Sequence, residues 1–183
     1  MAVGSLRFFP EWQKINLEIC PKFLINKNTH GKLKIVFMLP HWSYNVFKSK
    51  CKSLIDKIID LDGVFLIIKD HTRGSGGLEA DYKKELNKKD NVIASISAHS
   101  PKLINWCDLI INFGSSIGVE ALLQNKIVLN PVYLHTNKTI FEKTKACIPV
   151  NNETESIDSI IQIKNKIKNN INDEYKNDLF KEI

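Results

Sequence analysis

Between Lys34 and Val150 the chain alternates short, almost wholly apolar runs with stretches of helical spacing. KIVFML (34–39), VFLII (64–68) and IVL (127–129) lack the polar residue at every second position that a half-exposed strand carries. Strands of this kind need cover on both faces, which is the situation of a parallel sheet between two helical layers. The pattern predicts a doubly wound, Rossmann-like α/β domain. It has about six strands, helices on both faces and right-handed crossovers.

The elements follow from periodicity and breakers. The first strand, 34–39, ends at Pro40. A helix over 43–61 places Phe47, Cys51, Leu54, Ile55 and Ile58 on one face. After Gly63 comes the second strand, 64–68. The glycine-rich stretch 74–77 reads as a loop before the charged helical segment EADYKKELNKK, and 91–94 as a short third strand. A helix opens at Ser100 or Pro101 and runs to Trp106. Strand four is 109–113, with a helix over 116–124, and strand five is 127–129, stopped by Pro131. A sixth strand is expected over 147–150. A last helix starts near Glu155, with Ile157, Ile160, Ile161, Ile167 and Ile171 along one side. Residues 1–33, with Pro10, Pro21 and the polar NKNTHGK, read as an irregular linker or the remnant of a preceding domain. Residues 34–172 form the domain, and 173–183 an Asn- and Lys-rich tail.

Several classes are excluded. No run of about 18 apolar residues occurs, so no membrane span is expected. The N-terminus lacks the basic start and long apolar run of a secretory signal, so a cytoplasmic location is expected. Cys20, Cys51, Cys107 and Cys147 form no CxxC pair and read as reduced, mostly buried thiols. The five histidines show no HxxxH or HExxH spacing, so no metal site is expected. The net charge is +6. Residues 151–183 hold seven acidic and five basic side chains, a net of −2, which leaves +8 on the body. A basic body suits a phosphate-bearing ligand, or peripheral contact with an anionic membrane surface. With scattered lysines and no zinc-finger or RNA-recognition signature, no nucleic-acid partner is expected.

In doubly wound folds ligands bind beyond the carboxyl ends of the strands. There this chain is unusually polar: Pro40-His41-Trp42-Ser43, then Lys69-Asp70-His71-Thr72-Arg73, Ser97 to His99, Gly114-Ser115-Ser116, and Asn130, Pro131, Tyr133 and His135. Four of the five histidines therefore share one predicted edge. In DLIINFGSSIGVEAL (108–122) a strand, a small-residue turn and a helix start follow one another. Helix N-termini carry unpaired N–H groups and the positive end of the dipole. Gly114 and Gly118 permit close approach. Ser115 and Ser116 either cap the helix or donate to phosphate oxygens, and Glu120 can accept from sugar hydroxyls. Lys69, His71 and Arg73 suit a phosphate clamp, or form a solvated loop. His41 and Trp42 either cap the core or face a ligand, and His99 reads as structural. No GxGxxG follows the first strand, and no GxxxxGK[ST] occurs.

Three of these segments resemble a known group. The strand ending in Pro40-His41, the segment IIKDHTR and above all NFGSSIGVEALLQNKIVLNP are similar to the C-terminal half of GT-B-fold proteins. Within these the likeness is to surface-polysaccharide proteins: capsule biosynthesis transferases, CDP-glycerol glycerophosphotransferases and UDP-N-acetylglucosamine 2-epimerases. It covers about two thirds of the chain. The resemblance implies a nucleotide-sugar or CDP-polyol as substrate and no separate cofactor. Gly114, Ser115, Ser116, Lys69 and Arg73 would meet the phosphates, and Glu120 the ribose. His41 and His71 would be catalytic, with Asn130, Tyr133 and His135 on the rim. Two departures stand out. Thr72 occupies a position where the family often has proline. Phe113-Gly114-Ser115-Ser116 replaces the epimerases' Asp-Ser-Gly-Gly, which weighs against an epimerase. A GT-B enzyme has two such halves with its active site between them. The chain is therefore expected to be a fragment, a truncated product or one partner of a split enzyme, inactive alone, with half of an epimerase-like enzyme or a non-catalytic binding module as the alternatives.

Overall fold

Six strands pair side by side: β1 (Leu33–Met38), β2 (Val64–Lys69), β3 (Val92–Ala94), β4 (Leu109–Ile111), β5 (Ile127–Pro131) and β6 (Ile148–Val150). Their order in the sheet is β3-β2-β1-β4-β5-β6, and every pairing is parallel. The computed structural model describes residues 6–71, 77–142 and 146–168. Thr72, Arg73, residues 74–76, Ile171 and the expected tail 173–183 lie outside the described residues. The helices are α1 (Pro10–Ile19), α2 (Lys48–Ile59), α3 (Ala80–Lys88), α4 (Ser100–Trp106), α5 (Ile117–Leu123) and α6 (Glu153–Lys168). Among the described residues no helix is long and apolar enough to cross a membrane.

The sheet separates two apolar layers, because successive side chains on a strand point to opposite faces. Leu33, Ile35 and Phe37 of β1, with Leu66 and Ile68 of β2, pack against Leu54, Ile55 and Ile58 of α2 and Ile160 and Ile163 of α6. Val36 and Met38, with Phe65 and Ile67, pack against Leu103 and Ile104 of α4 and Ala121 of α5. Both faces are covered, as the uninterrupted apolar runs require. Cys51, Cys107 and Cys147 are buried and unbridged, and burial pushes the Cys51 thiol up to about 12.

The structure departs from the sequence reading at several boundaries. Residues 10–19, read as irregular, are helical. Pro10 sits at the first helical position, where its missing N–H costs no intrahelical bond. The segment that follows is tied down: Lys27 Nζ donates to the carbonyls of Asn87 and Val92 at 2.8 and 2.9 Å, and Phe23 meets Trp106 edge-on. Helix α2 starts at Lys48 rather than Ser43. The preceding loop is held open by Phe47 N–H donating to the Leu134 carbonyl, with Asn45 at φ 54°. β4 ends at Ile111. The buried Asn112 side chain then donates to the Ser115 carbonyl at 3.0 Å and turns the chain towards Gly114. β5 runs through Pro131, which lies opposite Val150 of β6. α6 starts at Glu153, two residues early. Asn152 Oδ1 accepts from the Glu155 N–H, and the Glu155 carboxylate accepts from the Asn151 N–H. That is a reciprocal cap of the capping-box kind.

Gly118 is required by space. A Cβ there would lie 2.7 Å from Asn112 Nδ2 and 2.8 Å from the Phe141 ring. Gly114 has open space around it but φ +71°. Gly118→Ala should therefore destabilise by about 1–3 kcal/mol, the usual range for overpacking. Gly114→Ala should cost about 1 kcal/mol, through backbone strain alone. Urea midpoints of the two variants check the order, and a Gly118→Ala protein as stable as wild type contradicts it.

Candidate functional site

The sheet order reverses direction at β1, between β2 on one side and β4 on the other. In open parallel sheets a crevice forms at such a point, outside the carboxyl ends of the strands. A cleft of about 330 Å³ lies there. Met38 and Leu39 leave β1 into it, Lys69, Asp70 and His71 leave β2, and Ser115, Ser116 and Ile117 follow β4. Ser100, at the start of α4, and Arg7, just before α1, complete the lining. Four of the residues singled out by sequence, Lys69, His71, Ser115 and Ser116, thus share one cleft.

His41 stands beside it. Its ring centroid is 5.6 Å from that of His71 and 5.8 Å from that of Tyr44. His41 Nδ1 faces Ser43 Oγ at 2.6 Å and accepts from the Ser43 N–H at 3.2 Å. With Nδ1 an acceptor, the proton of the neutral ring sits on Nε2, the nitrogen available to a neighbour.

The electrostatics are selective. Asp70, although it borders the cleft, is occupied. Lys83 Nζ lies 2.7 Å from its carboxylate and Ser95 Oγ donates to it. Lys69 makes no ion pair with any described residue. The turn after β4 is less open than the sequence suggests. Ser115 Oγ accepts from the Ile117 N–H at 3.4 Å, and the Ser115 and Ser116 carbonyls accept from Gly118 and Val119. The first N–H groups of this short helix are therefore largely engaged within the turn. The groups of positive charge and hydrogen-bonding capacity around the cleft are Lys69, Arg7 and the hydroxyls of Ser100, Ser115 and Ser116.

The remaining sequence-derived residues sit elsewhere. Gly114 shapes the turn without bordering the cleft. Glu120 is 4% exposed and pairs with the Arg7 guanidinium. Trp42 braces the loop end, donating to the Gly77 carbonyl at 2.8 Å. His99 caps α4 through its backbone carbonyl. Tyr133 shares a hydrogen bond with Ser156, and burial pushes its phenol up to about 12. Asn130 is fully buried, with no partner for its side-chain amide among the described residues. His135 is buried and stacked on Phe113, 5.8 Å between centroids. Asn130, Tyr133 and His135 do not line the cleft. The last two hold the core beneath the rim.

Sequence reasoning missed Arg7 and Ser100. Arg7 lies in a segment read as linker. Ser100 was read only as a helix opener, although it follows the third strand on the same edge. A larger cleft, about 600 Å³, lies at the opposite end of the sheet among Lys32, Lys34, Asp62, Asp108, Lys164 and Lys168. There α6 ends, and lysines offset the negative pole of its dipole. Lys34 pairs with Asp108, and Lys164 donates to the Asp62 carbonyl. That arrangement accounts for those cations without a ligand.

No family model matches the chain, and no curated protein does. Solved structures do resemble it. UDP-GlcNAc 2-epimerase of Methanocaldococcus jannaschii, in complex with UDP-GlcNAc and UDP, aligns with a TM-score of 0.59 and 19% identity, over 85% of this chain and 46% of that one. A Listeria monocytogenes protein described as a UDP-N-acetylglucosamine 2-epimerase aligns with 0.61 and 11%, over 84% and 42%. The wall teichoic acid polymerase TagF aligns with 0.53 and 11%, over 94% and 40%. The fold is that of a half-domain of GT-B glycosyltransferases and UDP-GlcNAc 2-epimerases. The chain spans less than half the length of each of these relatives.

Burial holds the His135 imidazole below its ordinary value, against the opposite pull of Glu142 and the Asn137 backbone. The unfolded chain thus takes up the proton first as pH falls. Stability contributed by neutral His135 is complete above about pH 6.5 and declines below it. His135→Phe keeps the stack on Phe113 and should flatten the fall in melting temperature between about pH 7 and 5. An unchanged slope in that window contradicts this assignment.

Proposed function

We propose that the chain is the nucleotide-binding half of a transferase acting on a nucleotide-diphosphate sugar or a CDP-polyol, in the assembly of surface polysaccharide. The observation that carries this reading is the cleft at the strand-order reversal, where Lys69, His71, Arg7, Ser100, Ser115 and Ser116 converge. Two or more cations with hydroxyl donors suit a diphosphate better than a neutral ligand. In the transfer step the nucleotide leaves as an anion, a nucleoside diphosphate from a sugar donor or CMP from a CDP-polyol. Lys69 and Arg7 stabilise that developing charge, with the serine hydroxyls as further donors. His41, its Nδ1 held by Ser43 and its ring beside His71, is placed to donate a hydrogen bond from Nε2 to the leaving group. The acceptor's base belongs to a second half-domain that meets this one across the cleft, as the two-fold greater length of the solved relatives suggests. An epimerase half is the second reading, favoured by the fold shared with the UDP-GlcNAc-bound archaeal enzyme.

Thermal shift with UDP, CDP, UDP-GlcNAc and CDP-glycerol tests the reading. At 100-fold the dissociation constant a bound nucleotide adds about 2.7 kcal/mol, a rise of about 5–10 °C for a chain of this size. Lys69→Ala and Ser116→Ala should each reduce the shift while leaving the unliganded melting temperature within about 2 °C. Stabilisation by single-stranded DNA, with none by any nucleotide, contradicts the proposal.

A further inference from the structure

The chain between β1 and α2 carries an exposed ledge that does not line the cleft. Tyr44 is 50% exposed and Phe47 40%, and every residue from Ser43 to Lys50 except Val46 is exposed. Gathered apolar side chains rimmed by charge mark a contact surface, whereas single ones do not. The ledge is not slack. Phe47 N–H donates to the Leu134 carbonyl at 2.9 Å, Thr136 N–H to the Asn45 carbonyl at 3.2 Å, and Asn137 Nδ2 to the Tyr44 carbonyl at 2.6 Å. Lysines flank its rings. Lys50 Nζ lies 4.5 Å from the centre of the Phe47 ring, and Lys48 Nζ 5.6 Å from that of Trp42. Neither lysine makes an ion pair with any described residue. Residues 41–52 contain no carboxylate.

The charge of the rim selects the partner. Unpaired ammoniums with no carboxylate among them attract an anionic face. Aromatic side chains with lysines beside them suit the boundary between lipid headgroups and hydrocarbon, where rings enter and ammoniums stay with the phosphates. Single-stranded nucleic acid needs open ring faces for its bases, and the Lys50 ammonium occupies one face of Phe47. Helix α1 gives the contrast. Its outer side exposes Trp12, Ile15 and Ile19, but with Glu11 and Glu18 against Lys14 alone, so an anionic surface gains nothing there. We infer that the ledge at 43–50 docks on an anionic lipid bilayer. Tyr44 and Phe47 enter the headgroup layer, and Lys48 and Lys50 meet lipid phosphates. The Tyr44 ring lies 5.8 Å from His41 and 6.2 Å from His71, so docking holds the cleft beside the lipid surface. The inference goes beyond the nucleotide reading and does not depend on it.

Co-sedimentation of the whole chain with vesicles, without nucleotide, is the test. Vesicles of phosphatidylcholine and phosphatidylglycerol in equal parts should carry the protein down, and phosphatidylcholine alone should not. Sodium chloride at about 1 M, where charges are screened within about 3 Å, should release most of it. Lys48→Gln with Lys50→Gln should weaken binding about tenfold or more. Tyr44→Ser with Phe47→Ser should weaken it by a similar factor, through lost insertion. Ile15→Gln with Ile19→Gln, on α1, should leave it unchanged. All three double variants alter exposed side chains, so their melting temperatures should stay within about 2 °C of wild type. The comparison of the two vesicle types on wild type decides the matter even if a variant folds poorly. Equal sedimentation with both vesicle types, none with either, or loss of binding in the α1 variant alone overturns the proposal. So does capture of oligothymidylate through Tyr44 and Phe47 by a protein that ignores both vesicles.

Discussion

The parallel ladders on either side of β1 are the constraint on which the rest depends. Leu33 to Met38 pair with Val64 to Lys69 on one side, and Ile35 to Phe37 pair with Leu109 to Ile111 on the other. With β1 central, the crossovers run away from it in opposite directions. The chain leaving β1 and β2 and the chain leaving β4 must then part around a gap. The cleft is that gap. Its position is dictated by strand order, and its polarity by which residues the sequence supplies just past each strand end.

The rim is built on rigid supports. His135, stacked on Phe113, also carries the bridge from its backbone to Val46, which sews the loop after β1 to the segment after β5. Asn137 Nδ2 donates to the Tyr44 carbonyl at 2.6 Å and adds a second stitch. Asp70 anchors the exit of β2 through Lys83 and Ser95. Lys69 and His71, on either side of Asp70, are thereby fixed towards the cleft by a residue that is itself fully engaged. Polar groups can shape a cleft without lining it, as His135 and Asn137 do here.

Much of this was legible in the sequence. Apolar runs too continuous for half-exposed strands gave the fold, and residues just after those runs gave the rim. The errors have physical causes. A proline at residue 10 reads as a breaker, yet it is well tolerated at the first position of a helix, so α1 and with it Arg7 went unseen. Asn130, Tyr133 and His135 follow a strand as Lys69 and His71 do, but Asn130 is buried in β5 between β4 and β6, Tyr133 is half-buried against Ser156 of α6, and His135 is buried against Phe113. A residue's place after a strand is visible in one dimension. Whether a neighbouring strand covers it is a property of sheet order, which the sequence does not display. Glu120 was correctly placed one turn into α5, but its ion partner lies 113 residues away.

The most direct measurement is a crystal structure of the chain grown with UDP. Diphosphate density within about 2.7–3.2 Å of Lys69 Nζ and the hydroxyls of Ser115 or Ser116 is the result expected. Density among Lys32, Lys34 and Lys164 at the far end of the sheet, with the cleft beside His71 empty at saturating UDP, would contradict the account.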